Sequence, residues 1–156
     1  MVDPKKWTTK TSEAVAAAMQ IATSNANPEL TPDHLVVALT SQTDTVVPAL
    51  LAKLGIASSM LHDRAQAVVN NMPRAHGGSE PRMNRELSQV FAAAEQSQKD
   101  LHDDYLSVEH LVLALHTRVG VGSEEMLQAL RDIRGSHRVT SQNPEDQFQS
   151  LEKYGV

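Results

Sequence analysis

Apolar residues recur along this chain at helical spacing. Ala14, Val15, Ala18, Met19 and Ala22 fall on one stripe, and Thr8 is a good cap for a helix running to about Thr23. Leu87, Phe91 and Ala94 form a similar stripe behind Asn84, predicting a helix to about Lys99. Thr31, Pro32 and Asp33 open another helix, because proline loses nothing at the first helical position and a carboxylate favours the positive end of the helix dipole. Ser107 and Glu109 repeat that arrangement. The pattern predicts further helices over about 46–54, 123–132 and 58–72, the last with Leu61, Ala65, Val68 and Met72 inward. A connector rich in helix breakers follows from Arg74 to Pro81. No stretch sustains the alternation of a strand, so the chain is predicted to be all-α, with about seven or eight short helices.

The start signals recur because the chain is internally duplicated. At an offset of 76 residues, Leu30 to Leu39 lies over Leu106 to Leu115, with six of the ten positions identical. The same offset superposes Ser12, Ala16, Ala17, Ala18 and Gln20 on Ser88, Ala92, Ala93, Ala94 and Gln96, and Leu51 and Leu54 on Leu127 and Leu130. One register held over this distance marks a tandem repeat. The expected organisation is a pseudo-twofold domain over 1–135, with copies at about 8–72 and 84–133. The second copy has no apolar pattern where the fourth helix of the first would recur. Residues 136–156 therefore read as a linker, with a short helix from Glu145 through Phe148, Leu151 and Tyr154, leading on into something longer.

Composition narrows the function classes. With 40% hydrophobic and 21% charged residues the chain is globular, and with aromatics at only 3% alanine and leucine must fill its core. The absence of cysteine removes disulfides, thiolate zinc sites and cysteine nucleophiles. A formal net charge of −5, with no basic run, argues against nucleic-acid capture. The longest apolar runs are far below the roughly 20 residues that span a bilayer. A soluble, cytoplasmic protein is expected.

No motif argues for an enzyme. There is no GxSxG nucleophile turn and no GxxxxGK[ST] phosphate loop. His102, Asp103, Asp104, Glu109 and His110 offer five potential metal ligands in nine residues, but without the spacing of an HExxH helix. His110 is the repeat-mate of His34, both at the third position of a helix, where a ring nitrogen can bond nearby backbone. Asp33 and Glu109 are also mates, and compensation of a helix dipole accounts for both.

Two copies of [LI]-[ST]-x-[DE]-H-L followed by two apolar residues and Ala-Leu, inside a small helical domain, resemble the paired Clp repeats. These form the amino-terminal domain of the Clp family of ring-forming unfoldases. Trp7-Thr8, and the tail Leu151-Glu152-Lys153-Tyr154-Gly155, resemble its ClpB branch. That resemblance implies a domain without a catalytic site or nucleotide site of its own, monomeric in isolation, that engages unfolded or aggregated polypeptides through an apolar groove. It also implies a full-length homohexamer that uses ATP and magnesium and works with the DnaK chaperone system. Substrate-handling positions of the family match Thr8, Asp103 and Glu109, and Phe91 stands where a bulky apolar residue lines the groove helix. His110 departs from the pattern, which often has an apolar residue there. The resemblance leaves a second reading within the family, a ClpC-type domain receiving adaptor proteins or phosphorylated arginine on Asp33 and Glu109. A reading outside it is a small metal-dependent hydrolase built on His102, Asp103, Glu109 and His110.

Overall fold

A computed structural model describes residues 3–78 and 80–145. A 3-10 turn at Pro4–Lys6 leads into α1 (Thr9–Ser24), α2 (Pro32–Ser41), α3 (Val47–Lys53) and α4 (Ser58–Asn70). The second half holds α5 (Arg85–Asp100), α6 (Val108–Ala114), α7 (His116–Val119) and α8 (Ser123–Arg134). Two-residue strands, β1 (Glu29–Leu30) and β2 (Arg82–Met83), complete the described elements. The expected all-α fold is what the chain adopts. Among the described residues no helix is long and apolar enough to cross a membrane. The helix expected past Glu145, through Phe148, Leu151 and Tyr154, lies outside the described residues.

Shifting α1 by 76 residues reproduces both ends of α5, and the same shift carries the starts of α2 and α3 onto those of α6 and α8. Caps explain the agreement. The Thr8 hydroxyl accepts the Thr11 N–H at 3.2 Å, and Asn84, its mate, accepts the Leu87 N–H at 2.8 Å. Each satisfies a donor that the first turn leaves free. α7 was not foreseen: the second copy breaks at Leu115, and Gly120, in the left-handed region at φ 95°, stops the short helix.

α2 and α6 form the centre. Pro32 to Leu39 and Val108 to Leu113 are buried without interruption, as helices packed on all sides must be. α1 and α4 cover α2, α5 covers α6, and α3 packs against α6 and α8 across the repeat boundary.

The two copies are also laced together by backbone. β1 pairs in parallel with β2, with the Asn84 N–H on the Leu30 carbonyl at 2.9 Å. In mirror image Trp7 bridges Leu106, and the Thr8 N–H meets the Leu106 carbonyl at 3.0 Å. The lead-in to each copy's first helix thus lies on the lead-in to the other copy's second helix.

Two expectations are corrected by packing. On α4 the inward stripe is Leu61, Ala65 and Val69, spaced by four residues, while Val68 is 42% exposed. Choosing Val69 over its neighbour keeps the stripe on one line of the helix. Residues 136–142, expected to be linker, are docked on the domain: Val139 is buried, and the Thr9 N–H donates to the Gln142 carbonyl at 2.7 Å.

Phe91 is 1% exposed and stacks on Trp7 with ring centroids 5.6 Å apart. It therefore presents no surface to a ligand, contrary to the expected groove position, and its work is packing. Phe91→Ala should cost about 3–5 kcal/mol of stability. Urea unfolding followed by circular dichroism measures this, and a loss below about 1 kcal/mol would contradict the core assignment.

Candidate functional site

The three polar positions singled out in the sequence converge on the start of α6. Asp103 precedes that helix and Glu109 lies in its first turn. Thr8 reaches it through Thr11, whose hydroxyl donates to the Leu106 carbonyl at 2.9 Å while accepting from Thr8 at 2.9 Å. Arg134, in the last turn of α8, binds both carboxylates: its Nη1 and Nη2 donate to the two oxygens of Asp103 at 2.9 and 2.6 Å, and Nη1 lies 3.2 Å from Glu109. The Ser107 hydroxyl donates to the other Glu109 oxygen at 2.7 Å.

His110 joins the network as a cap. Its Nδ1 accepts the Ser107 N–H at 2.8 Å and its Nε2 donates to Asp103 at 2.6 Å. This is a capping box in which histidine replaces the usual Glu or Gln at the third helical position. The first copy repeats it: His34 Nδ1 accepts the Thr31 N–H at 3.0 Å, and Nε2 donates to Asn27 at 2.9 Å. Asn27 and Asp103 are repeat-mates, each preceded by a residue with positive φ, Ala26 at 54° and His102 at 58°. That left-handed step turns the chain after α1 or α5 so that the next side chain faces the start of the central helix.

The two copies differ in charge. Burial lowers the His34 pKa, in keeping with a ring whose partner is a neutral amide. Burial pushes the Asp103 carboxyl up, but hydrogen bonds from His110, Arg134 and the Val139 N–H outweigh it and hold the pKa at about 2. Arg134 is raised, its burial being outweighed by Asp103 and Glu109. Asp33, the mate of Glu109, is raised by burial despite the Arg118 guanidinium 2.8 Å away. Arg118 also binds Glu86.

Every member is buried: Thr8 is fully so, and Asp103 and Glu109 are 7% and 6% exposed. The cluster is a folded-in polar network rather than an open cleft. It does not assemble the metal site of the hydrolase reading. His110 uses both ring nitrogens, His102 is exposed, and among the described residues no three His, Asp or Glu side chains are placed to hold a metal. Sequence reasoning missed Arg134, Val139 and Asn27. The repeat offset alone could have found Asn27, by placing it on Asp103.

The seam between the copies is apolar. Val36, Leu39, Val47, Leu51 and Leu61 of the first face Val112, Leu115 and Val119 of the second around a crevice of about 10 Å³, room for no more than one water. Among the described residues the large apolar side chains found exposed are Met60, at 67%, and Val68, both on the outer face of α4.

Residues 6–131 match the Clp repeat N-terminal domain. The chain is 38% identical to the chaperone protein ClpB of Corynebacterium glutamicum and 36% identical to that of Mycobacterium leprae, over 96% of this chain and 19% of each relative. It spans about a fifth of the length of these curated relatives. Among solved structures, the Hsp104 N-terminal domain from Candida albicans superposes with a TM-score of 0.77 at 19% identity, covering 90% of this chain and 99% of that one. A complex of the ClpV N-domain with a VipB peptide superposes with a TM-score of 0.60 at 18% identity, covering 96% and 88%. At such identities these likenesses show the fold.

The network carries a pH signature. Because the folded-state pKa of Asp103 lies below its ordinary value of 3.8, its stabilisation is complete above that value and is lost as pH falls toward 2. About 2 kcal/mol should disappear over this window. Asp103→Asn should be less stable at pH 6 and lose less on acidification. Urea midpoints between pH 6 and 2 that fall in parallel for the two proteins would refute the assignment.

Proposed function

The chain belongs to the Clp repeat N-terminal domain family and is of the ClpB type, and from that membership we propose that it recruits unfolded or aggregated polypeptide to an ATP-driven disaggregating machine. The observation that carries this reading is the identity to ClpB chaperones over nearly the whole chain. A ClpV N-domain of the same fold has been solved with a VipB peptide, which supports a peptide-binding role for this scaffold. ATP and magnesium, the hexamer and the DnaK partnership belong, in this reading, to the whole protein. The 156 residues contain no GxxxxGK[ST] loop that would cradle a nucleotide, and no catalytic role is assigned to them.

Thr8, Asp103 and Glu109 act in this reading by holding the shape of the domain, since each is buried and bonded. The first contact with substrate falls to exposed apolar surface. Met60, Arg64 and Val68 follow one another at intervals of four on α4 and are all exposed, with the arginine stem between the two apolar side chains. Such a stripe suits weak, promiscuous contact with apolar segments. Methionine adapts to differing side chains. Several copies around a ring would then raise the overall avidity.

The phosphoarginine reading is less well supported. It needs Asp33 and Glu109 free to bind a ligand's guanidinium, and both hold arginines of the chain itself, Arg118 and Arg134.

The test substitutes exposed positions, where changes usually shift stability by less than about 0.5 kcal/mol. Met60→Asp with Val68→Asp should leave the melting temperature near that of the parent. It should weaken binding of a permanently unfolded probe, reduced and carboxymethylated α-lactalbumin, at least fivefold by fluorescence anisotropy. Undiminished binding would remove α4 from the proposal. If the parent protein does not bind the probe at all, recruitment itself is refuted.

A further inference from the structure

We propose that Asp103 is a positioning residue that fastens the segment leaving the second repeat, residues 137–142, onto the domain, and that its mate Asn27 fastens the connector leaving the first. The segment 137–142 belongs to no helix or strand of the fold, yet its backbone is held at three points. The Val139 N–H donates to Asp103 Oδ1 at 2.8 Å, and the Val139 carbonyl accepts the Asp104 N–H at 2.8 Å. Arg134, clasped by Asp103, turns its Nε and Nη2 onto the His137 carbonyl at 3.1 and 2.8 Å. The Gln142 carbonyl takes the Thr9 N–H at the start of α1. The Val139 side chain is 3% exposed. Hydrogen bonds at these points around one buried side chain are the mark of a seated segment, not a free one.

The first copy achieves the same end with opposite hydrogen-bond polarity. There the departing segment offers a carbonyl, that of Pro73, and Asn27 Nδ2 donates to it at 3.1 Å. The Ala75 N–H returns to the Ala26 carbonyl at 2.8 Å, and Arg74 binds Asn25 at 2.7 Å. A carboxylate at position 27 would face Pro73 oxygen to oxygen. An amide at position 103 can accept from His110 with its one oxygen, as Asn27 does from His34, but its NH₂ would then face the Val139 N–H and the Arg134 guanidinium. The divergence of the two mates is thus matched to what each exit presents: a lone pair in one, a proton in the other.

The consequence rests on the proposed reading of the chain as a recruiting module tethered to a larger machine. With the clasp closed, the exit segment is fixed to the domain from His137 through Gln142. Opened, the segment keeps only the backbone bonds from Asp104 and Thr9, and once these yield residues 135–142 extend from the end of α8 at about 3.3–3.6 Å each. Asp103 therefore sets how far the domain can swing. A substitution there would alter recruitment through reach, with no contact to substrate.

Asp103→Asn is the informative change, because the first copy shows that Asn beneath a capping histidine is compatible with the fold. Hydrogen exchange followed by NMR on the 156-residue protein should show the Val139 and Asp104 amides exchanging at least tenfold faster in the variant. Amides in the middle of α2 and α6 should keep their protection. Trypsin cleavage after Arg138, whose side chain is exposed, should accelerate by a similar factor. Should Asp103→Asn fail to fold, Arg134→Lys keeps the buried positive charge but loses the fork that reaches His137, and the same amides are read. Exchange at Val139 that is unchanged, or that rises only in step with α6, overturns the clasp. No polypeptide ligand enters this measurement, so failure of the clasp and failure of recruitment are distinguishable.

Discussion

The fold depends on starting two helices inside the protein. α2 and α6 are buried from their first turn, so the backbone donors of that turn cannot turn to water. A buried, unsatisfied N–H costs about 1–3 kcal/mol, and neither helix could hold the centre with several of them. Histidine at the third helical position answers the problem. It accepts the cap residue's N–H at one nitrogen and donates its own N–H from the other to a side chain that precedes the helix. The partner, Asn27 or Asp103, must then sit just past a sharp reversal, which is why Ala26 and His102 occupy the left-handed region. Cap, reversal and partner form one unit that the duplication copied whole.

Much of this was legible in the chain. Helix starts were read within a residue or so because Thr8, Asn84, Thr31 and Ser107 are capping types with a local mechanism, and the repeat supplied a second reading of each. The limits appear where the deciding contact is distant in sequence. Nothing local distinguishes Val68 from Val69 on α4; packing against α2 decides it. Phe91 reads equally as groove or core until Trp7 is seen against it. Thr8, Asp103 and Glu109 were read as a set, and they do converge, but their burial was invisible because their partner, Arg134, lies outside the duplicated motif.

The copies preserve geometry while letting charge diverge. Asp33 and Glu109 are equivalent dipole partners, yet one draws Arg118 from α7 and the other Arg134 from α8. Surface ion pairs contribute little to stability, but Asp103 and Arg134 are nearly fully buried, where removing one partner strands the other. The second copy is accordingly the more sensitive of the two to acid and to substitution. Its network links α6, α8 and the exit segment, whereas Asn27 joins only neutral groups.

The asymmetry at the end of the second copy completes the picture. α4 covers α2 in the first copy and has no counterpart over α6 among the described residues. What stands in its place is a longer third helix. α8 runs twelve residues where α3 runs seven, and the extra turn carries Arg134, which lies beyond any position matched in α3. The extension brings a cation to a carboxylate, and the carboxylate secures the strand of backbone that follows. Among the described residues the flank of α6 thus carries a charged fastening where α2 has the apolar cover of α4. The difference has a functional edge, since an apolar helix is seated by packing along its whole length. A segment held by a few hydrogen bonds, several of them from one buried carboxylate and its arginine, is instead loosened by changing one residue.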